Sequence, residues 1–125
     1  MTFLSSSSTA MLDLTGAKEF ASEGEQLLDL LQTFEQSLTI EINKIETAIA
    51  SQDAQTVERS LHALKGFMPL FARLELAQKV TDLYQTSRTK PFGETCAVFN
   101  ELAPNLRVLL KEVHAWPGIY DSASQ

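Results

Sequence analysis

The sequence predicts an all-α protein: an antiparallel four-helix bundle with a short extra N-terminal helix. Three observations carry this. Apolar residues recur at steps of three and four through most of the chain, which is the period of a helix with one buried face. Only five Gly and four Pro interrupt 125 residues, so long stretches can run as continuous helix. No segment shows the two-residue alternation of a half-buried strand, and no internal repeat is present.

The elements follow in order. Residues 1–10 are Ser-rich and read as a flexible lead-in. A short helix is predicted from about Thr15 to Ala21, with Thr15 as its cap, and Ser22-Glu23-Gly24 as the break after it. From about Gly24 to Ala50, Leu27, Leu28, Leu31, Phe34, Leu38, Ile42, Ile45 and Ile49 form one stripe. Glu35, Gln36, Glu41, Lys44 and Glu46 decorate the remainder of that helix. Ser51-Gln52-Asp53 punctuates, and Asp53 is a suitable N-cap for a helix running from about Ala54 to Phe71. Its apolar face is Val57, Leu61, Leu64, Met68 and Phe71.

A further helix is expected from about Leu74 to Ser87, with Leu76, Ala77, Val80, Leu83 and Tyr84 inward. Thr89-Lys90-Pro91-Phe92-Gly93 reads as a loop by its Pro and Gly. The last helix spans about Glu94 to Ala115 and turns Val98, Leu102, Leu106, Leu109, Leu110 and Val113 inward. Pro104 should kink or split it, unless it sits at a first turn. Trp116-Pro117-Gly118 ends it, and residues 117–125 read as a flexible tail. The globular part is thus residues 11–116. Four striped helices with short connections pack most simply as a bundle.

Composition narrows the function. At 44% hydrophobic and 21% charged residues, the chain is ordinary for one globular domain. A net charge of −6 argues against nucleic acid, whose phosphates need a basic face. The single cysteine, Cys96, cannot form an internal disulfide or a multi-cysteine zinc site, and is expected as a small buried thiol on a helix. No apolar run approaches the roughly 20 residues that span a bilayer, and the N-terminus lacks the basic and apolar regions of a signal peptide. The expected location is the cytoplasm, without membrane attachment. Met1 and the complete set of helices favour a free-standing protein, and a monomer is the default.

The chemically informative stretch is Ser60-Leu61-His62-Ala63-Leu64-Lys65-Gly66. At about 100° per residue, His62 falls about 140° from the centre of the apolar face. Lys65 and Gly66, three and four positions on, share its side of the helix, as do Gln55, Glu58 and Arg59. An exposed His or Lys is ordinarily a solvated surface residue. The glycine is less ordinary: inside a helix it costs roughly 0.5–1 kcal/mol relative to Ala, and an exposed face offers no packing reason for it. Its use would be to let the backbone of another macromolecule come close beside His62. A neutral imidazole is a nucleophile near neutral pH. It can take a phosphoryl group from an acyl phosphate on a partner, while an ammonium one turn away offsets the arriving negative charge. No Gly-rich phosphate loop is present to bind a nucleotide, so the histidine would be a carrier and the chain not a kinase.

His62-Ala63-Leu64-Lys65-Gly66 resembles the H-x-L-K-G core of the histidine-containing phosphotransfer (HPt) domains of two-component phosphorelays. Leu12-Asp13-Leu14 before a short helix is similar to the family's opening, and Leu27-Leu28 through Leu31 and Phe34 to the long helix that follows. Ala48-Ile49-Ala50-Ser51-Gln52-Asp53 resembles the turn before the histidine helix, and Leu76-Ala77 through Leu83-Tyr84 the helix after it. The resemblance covers residues 12 to about 115. It implies that His62 is phosphorylated, that Lys65 steadies the phosphoryl group, and that Gly66 leaves room for a receiver domain. Arg59 would add charge to partner docking. The implied partners are the receiver domain of a hybrid histidine kinase and a response regulator. No cofactor is expected in this chain, because the divalent metal in such transfers is held by the receiver's acidic pocket.

The sequence departs from the family at Phe67, where a small residue is usual, at Pro69, on the His62 side of the helix, where it should kink the helix by removing a backbone donor, and at Ala72, where a glycine is usual. Phe67 and Pro69 are therefore read either as an altered docking surface or as signs of a differently packed core. His114, near the end of the last helix, fits a dipole contact, and no further ligands stand at spacing that would make a metal site with His62. Two other functions compete. One is a helical binding module on the same scaffold, docking a receiver or other signalling protein through the Phe67–Phe71 segment without phosphotransfer. The other is an autonomous enzyme, for which no clustered acid/base pair, metal spacing or nucleotide loop is found.

Overall fold

A computed structural model describes residues 11–19, 21 and 24–116. The expected N-terminal lead-in, the break at 22–23 and the tail from 117 lie outside the described residues. Within them the chain forms five helices: α1 (Thr15–Lys18), α2 (Gly24–Ala50), α3 (Ala54–Phe71), α4 (Leu74–Thr89) and α5 (Phe92–His114). Helices α2 to α5 pack in sequence order, and α5 returns to α2, closing the four-helix ring; α1 lies on α3 and α2.

The predicted stripes form the core. Leu31, Leu38, Ile45, Val57, Leu61, Leu64, Met68, Val80, Leu83, Leu106, Leu109 and Val113 are wholly or almost wholly shielded from water. At about 1.5–3 kcal/mol for each large aliphatic side chain removed from water, this burial is the main force that assembles the bundle. The aromatic run in α3 joins it. Phe71 stacks on Phe34 with ring centroids 4.1 Å apart, and Phe67 meets the same ring edge-on at 5.5 Å. Phe67 is therefore half-buried against the core.

Three readings of helix faces are corrected. Glu35 is buried rather than decorating α2, and its Oε2 lies 2.7 Å from Nδ1 of His114. His114 thus makes a side-chain contact across to α2, where only a dipole contact was expected. On α5 the stripe is shifted by one position at its start: Phe99 and Thr95 are buried, while Val98 is exposed. Cys96 is half-buried, because the same shift turns it toward the edge of the stripe.

Helix ends show where local chemistry overrode the spacing. Asp53 caps α3 as expected, accepting from the Thr56 amide at 3.1 Å and the Thr56 hydroxyl at 2.6 Å. The residue before it, Gln52, takes φ 59°, the left-handed step that turns the chain. Thr15 is not a cap; it is the first residue of α1, and Asp13 Oδ1 accepts its amide at 2.9 Å. Helix α1 itself ends at Lys18, short of Ala21.

Helix α4 continues two residues past Ser87. The hydroxyls of Thr86 and Thr89 bond to carbonyls one turn back, and the Lys90 amide closes on the Thr86 carbonyl. Pro91 then holds Lys90 extended and, with its fixed φ, starts α5 at once, so Phe92 and Gly93 are helical rather than looped. Neither Pro69 nor Pro104 splits its helix.

The α3–α4 connection is two residues long and is pinned from outside. Leu12 and Ala72 form an antiparallel bridge; the Asp13 amide donates to the Phe71 carbonyl and the Arg73 amide to the Met11 carbonyl, each at 2.8 Å. Ala72 sits at φ −119°, ψ 156°, an extended conformation open to any residue, so no glycine is required there. The amides of Met11 and Leu12 both donate to one carboxylate oxygen of Glu112 on α5, at 2.8 Å. The opening segment therefore ties α5 to the α3–α4 turn. Gly16 lets α1 approach: a Cβ there would stand 3.2 Å from Leu70 Cα and from the Pro69 carbonyl oxygen.

Two predictions follow from these ends. Hydrogen bonds from the Thr15 backbone hold the Asp13 carboxyl below its ordinary 3.8, and those from Thr56, side chain first, do the same for Asp53. Both groups bind protons more weakly in the folded chain, so their contribution is complete above 3.8 and is lost as pH falls through the lower folded values. Thermal melts from pH 6 to pH 2 should show Tm falling on the acid side, and Asp53→Asn should flatten that limb. Gly16→Ala should lower stability by about 1 kcal/mol in urea titration, because crowding two backbone groups outweighs the better helix propensity of Ala.

Candidate functional site

On α3, the exposed face is built from the residues that the helical spacing left out of the core. Arg59, His62 and Gly66 are exposed, and Glu58 and Lys65 are half-buried at its edges. Leu61 and Leu64, fully buried on the opposite side, hold the helix in that rotation. The helix thus presents the imidazole to solvent on a rigid support, with the ammonium one turn further on.

The floor of the site comes from α4. His62 lies against Tyr84, with ring centroids 5.3 Å apart and planes inclined by 58°. The Lys65 ammonium sits 5.2 Å from the centre of the same ring, and the Arg88 guanidinium 5.8 Å. Both distances fall within cation–π range. Arg88 also faces Glu58 across the two helices at 3.8 Å, a half-exposed pair whose energetic weight is small. His62 therefore stands beside two cations gathered on one aromatic surface, in a chain whose net charge is −6.

Gly66 has nothing within 4 Å of where a Cβ would stand, so no part of the fold requires it. It opens the surface one turn beyond His62. Arg59 is exposed one turn before His62, and its positive charge also acts on the Asp53 carboxyl. Pro69 is exposed further along the helix, whereas Phe67 turns aside onto Phe34. The face thus brings together His62, Lys65 and Gly66, flanked by Arg59 and Pro69, and leaves Phe67 mostly in the core. His114 is on the Glu35 side of α5 and takes no part.

Tyr84 and Arg88 were not singled out from the sequence; Tyr84 was counted only as an inward residue. The signal was available. In an antiparallel pair joined by a two-residue turn, residues equally far from the turn meet. Counting outward from Ala72–Arg73 sets the Leu83–Tyr84 level beside His62 and the Ser87–Arg88 level beside Glu58.

Chemically, the arrangement offers an accessible nucleophile, positive charge beside it, and open surface one turn on. Among the described residues no three His, Cys, Asp or Glu side chains gather as a metal cluster, and no helix is long and apolar enough to cross a membrane.

Comparison with protein families gives a match over residues 29–116 to the model described as Hpt domain. That span runs from the first turns of α2 to the end of α5 and includes His62, Lys65, Gly66, Tyr84 and Arg88. Neither the curated proteins nor the solved structures yielded a match to the chain.

The open space at Gly66 has a measurable consequence. Gly66→Ala should stabilise the chain by about 0.5–1 kcal/mol in urea titration, since an exposed helix interior gains propensity and loses nothing in packing. It is the same substitution as at Gly16 with the opposite sign.

Proposed function

The chain belongs to the Hpt domain family, and we propose from that premise that it is a phosphocarrier relaying a phosphoryl group between receiver domains through His62. The observation that carries the proposal is the exposed imidazole with Lys65 one turn on and an unfilled glycine beside it.

The transfer is a single exchange at phosphorus. A ring nitrogen of His62 attacks the phosphorus of an aspartyl phosphate on the incoming receiver. A P–N bond forms as the P–O bond to the aspartyl carboxyl breaks, and the electron pair leaves with that carboxylate. The other ring nitrogen keeps its N–H through the exchange. In the reverse exchange an aspartate carboxylate of the next receiver attacks the phosphorus, the P–N bond breaks, and the ring leaves as neutral imidazole. Lys65 offsets the charge that arrives with the phosphoryl oxygens, and Arg88 stands close enough on the same ring to assist. Gly66 lets the receiver backbone approach. Arg59, Pro69 and the outer edge of Phe67 flank the contact. The donor is the receiver of a hybrid histidine kinase, the acceptor that of a response regulator, and both meet a monomeric carrier in the cytoplasm. The carrier needs no cofactor of its own, since the acidic pocket of the receiver supplies the divalent metal.

The test is a transfer assay with receivers labelled on aspartate. Acid-labile, base-stable label should appear on the wild-type chain and be absent from His62→Gln, with both equally helical by circular dichroism. Receiver binding that persists in His62→Gln, with no label on wild type from any receiver, would replace the carrier by a binding module on the same bundle.

A further inference from the structure

Tyr84 is nine-tenths buried, yet its ring is the common neighbour of His62, Lys65 and Arg88. An aromatic ring is negative over its face, so it attracts cations and orients a neighbouring ring. Its own place is fixed by the core. Val80 and Leu83 on the same helix are fully buried, and the Ser87 hydroxyl donates to the Tyr84 carbonyl at 2.6 Å.

We propose that Tyr84 is a positioning residue for phosphoryl acceptance: it holds the His62 ring in one orientation and keeps the Lys65 and Arg88 cations beside it. The inference rests on the phosphocarrier reading and adds a residue to it. Lys and Arg side chains have many rotamers, and ordering them costs entropy at the moment of transfer. A ring that gathers both cations beforehand lowers that cost. The chemistry requires the π face, not the hydroxyl. Phe should therefore replace Tyr84, whereas Leu, which fills similar space without a π face, should not.

The full chain and the variants Tyr84→Phe and Tyr84→Leu would be compared by NMR and by phosphorylation with phosphoramidate, a small donor that needs no receiver. In the wild type, nuclear Overhauser contacts should link the His62 and Tyr84 ring protons. The His62 ring protons should carry a ring-current shift that Tyr84→Phe keeps and Tyr84→Leu loses. Phosphorylation should stay within about twofold of wild type in Tyr84→Phe and slow about five- to tenfold in Tyr84→Leu.

The wild-type contacts decide the geometry even if Tyr84→Leu fails to fold, and their absence overturns the proposal. So does a folded Tyr84→Leu that labels at the wild-type rate, or a Tyr84→Phe as slow as Tyr84→Leu. A wild-type chain that takes no phosphoryl group from phosphoramidate or from any receiver defeats the phosphocarrier reading itself. Label on wild type with no effect in Tyr84→Leu defeats only the role of Tyr84.

Discussion

The two-residue connection at Ala72–Arg73 is the constraint on which the site depends. So short a turn leaves α4 no freedom to slide along α3, because each residue of slip would need about 1.5 Å of chain that the turn does not contain. The opening segment reinforces it from outside, through the Leu12–Ala72 bridge and the flanking amides of Asp13 and Arg73. Glu112 then fastens that segment to α5. Register between α3 and α4 is thereby fixed by backbone hydrogen bonds some ten residues away from His62. The contact of His62 with Tyr84, and of Glu58 with Arg88, is the consequence at that distance.

Rigidity beneath and openness above are two requirements that conflict in most surface sites. A nucleophile that must meet a protein partner has to be exposed, and exposed side chains are ordinarily mobile. Here the backbone under His62 is immobilised by Leu61 and Leu64, neither accessible to solvent. The side chain rests against Tyr84 and is otherwise exposed, with open surface at Gly66 one turn on. An enzyme active site would instead enclose its nucleophile and exclude water. The exposed geometry suits a group handed between proteins, as the phosphotransfer implied by Hpt family membership would require.

Much of this was legible in the sequence because burial and helical period are the same information. The stripes of α2, α3 and α4 placed nearly every core residue, and the side of α3 opposite Leu61 and Leu64 placed His62, Lys65 and Gly66 together. What the period could not supply was tertiary. Glu35 falls among the polar residues of α2 by type, yet it is buried where His114 of α5 reaches it. Val98 is apolar enough to be counted in the stripe of α5, but Thr95 and Phe99 occupy the inner positions, since packing selects by angle rather than by hydropathy alone. The loop expected at 89–93 shrank to Lys90–Pro91 because a proline there starts a helix as readily as it ends one. The bulky Phe67 was read from α3 alone, and its partner Phe34 lies on α2.

The contrast between Gly16 and Gly66 shows which departures from ideal sequence are structural and which are not. Gly16 is required by the fold, since α1 could not approach the end of α3 with a larger residue there. Gly66 is opposed by the fold: it lowers the stability of the central helix and fills no contact. A residue whose local cost has no local benefit is best explained by something that the isolated chain does not contain. On the proposed phosphocarrier reading, that something is a receiver whose backbone approaches α3 at Gly66, one turn from His62 and next to Lys65. A partner presenting negative charge at close range meets those conditions, and under the proposed role a phosphorylated receiver pocket would bring that charge to His62 as it transfers the group.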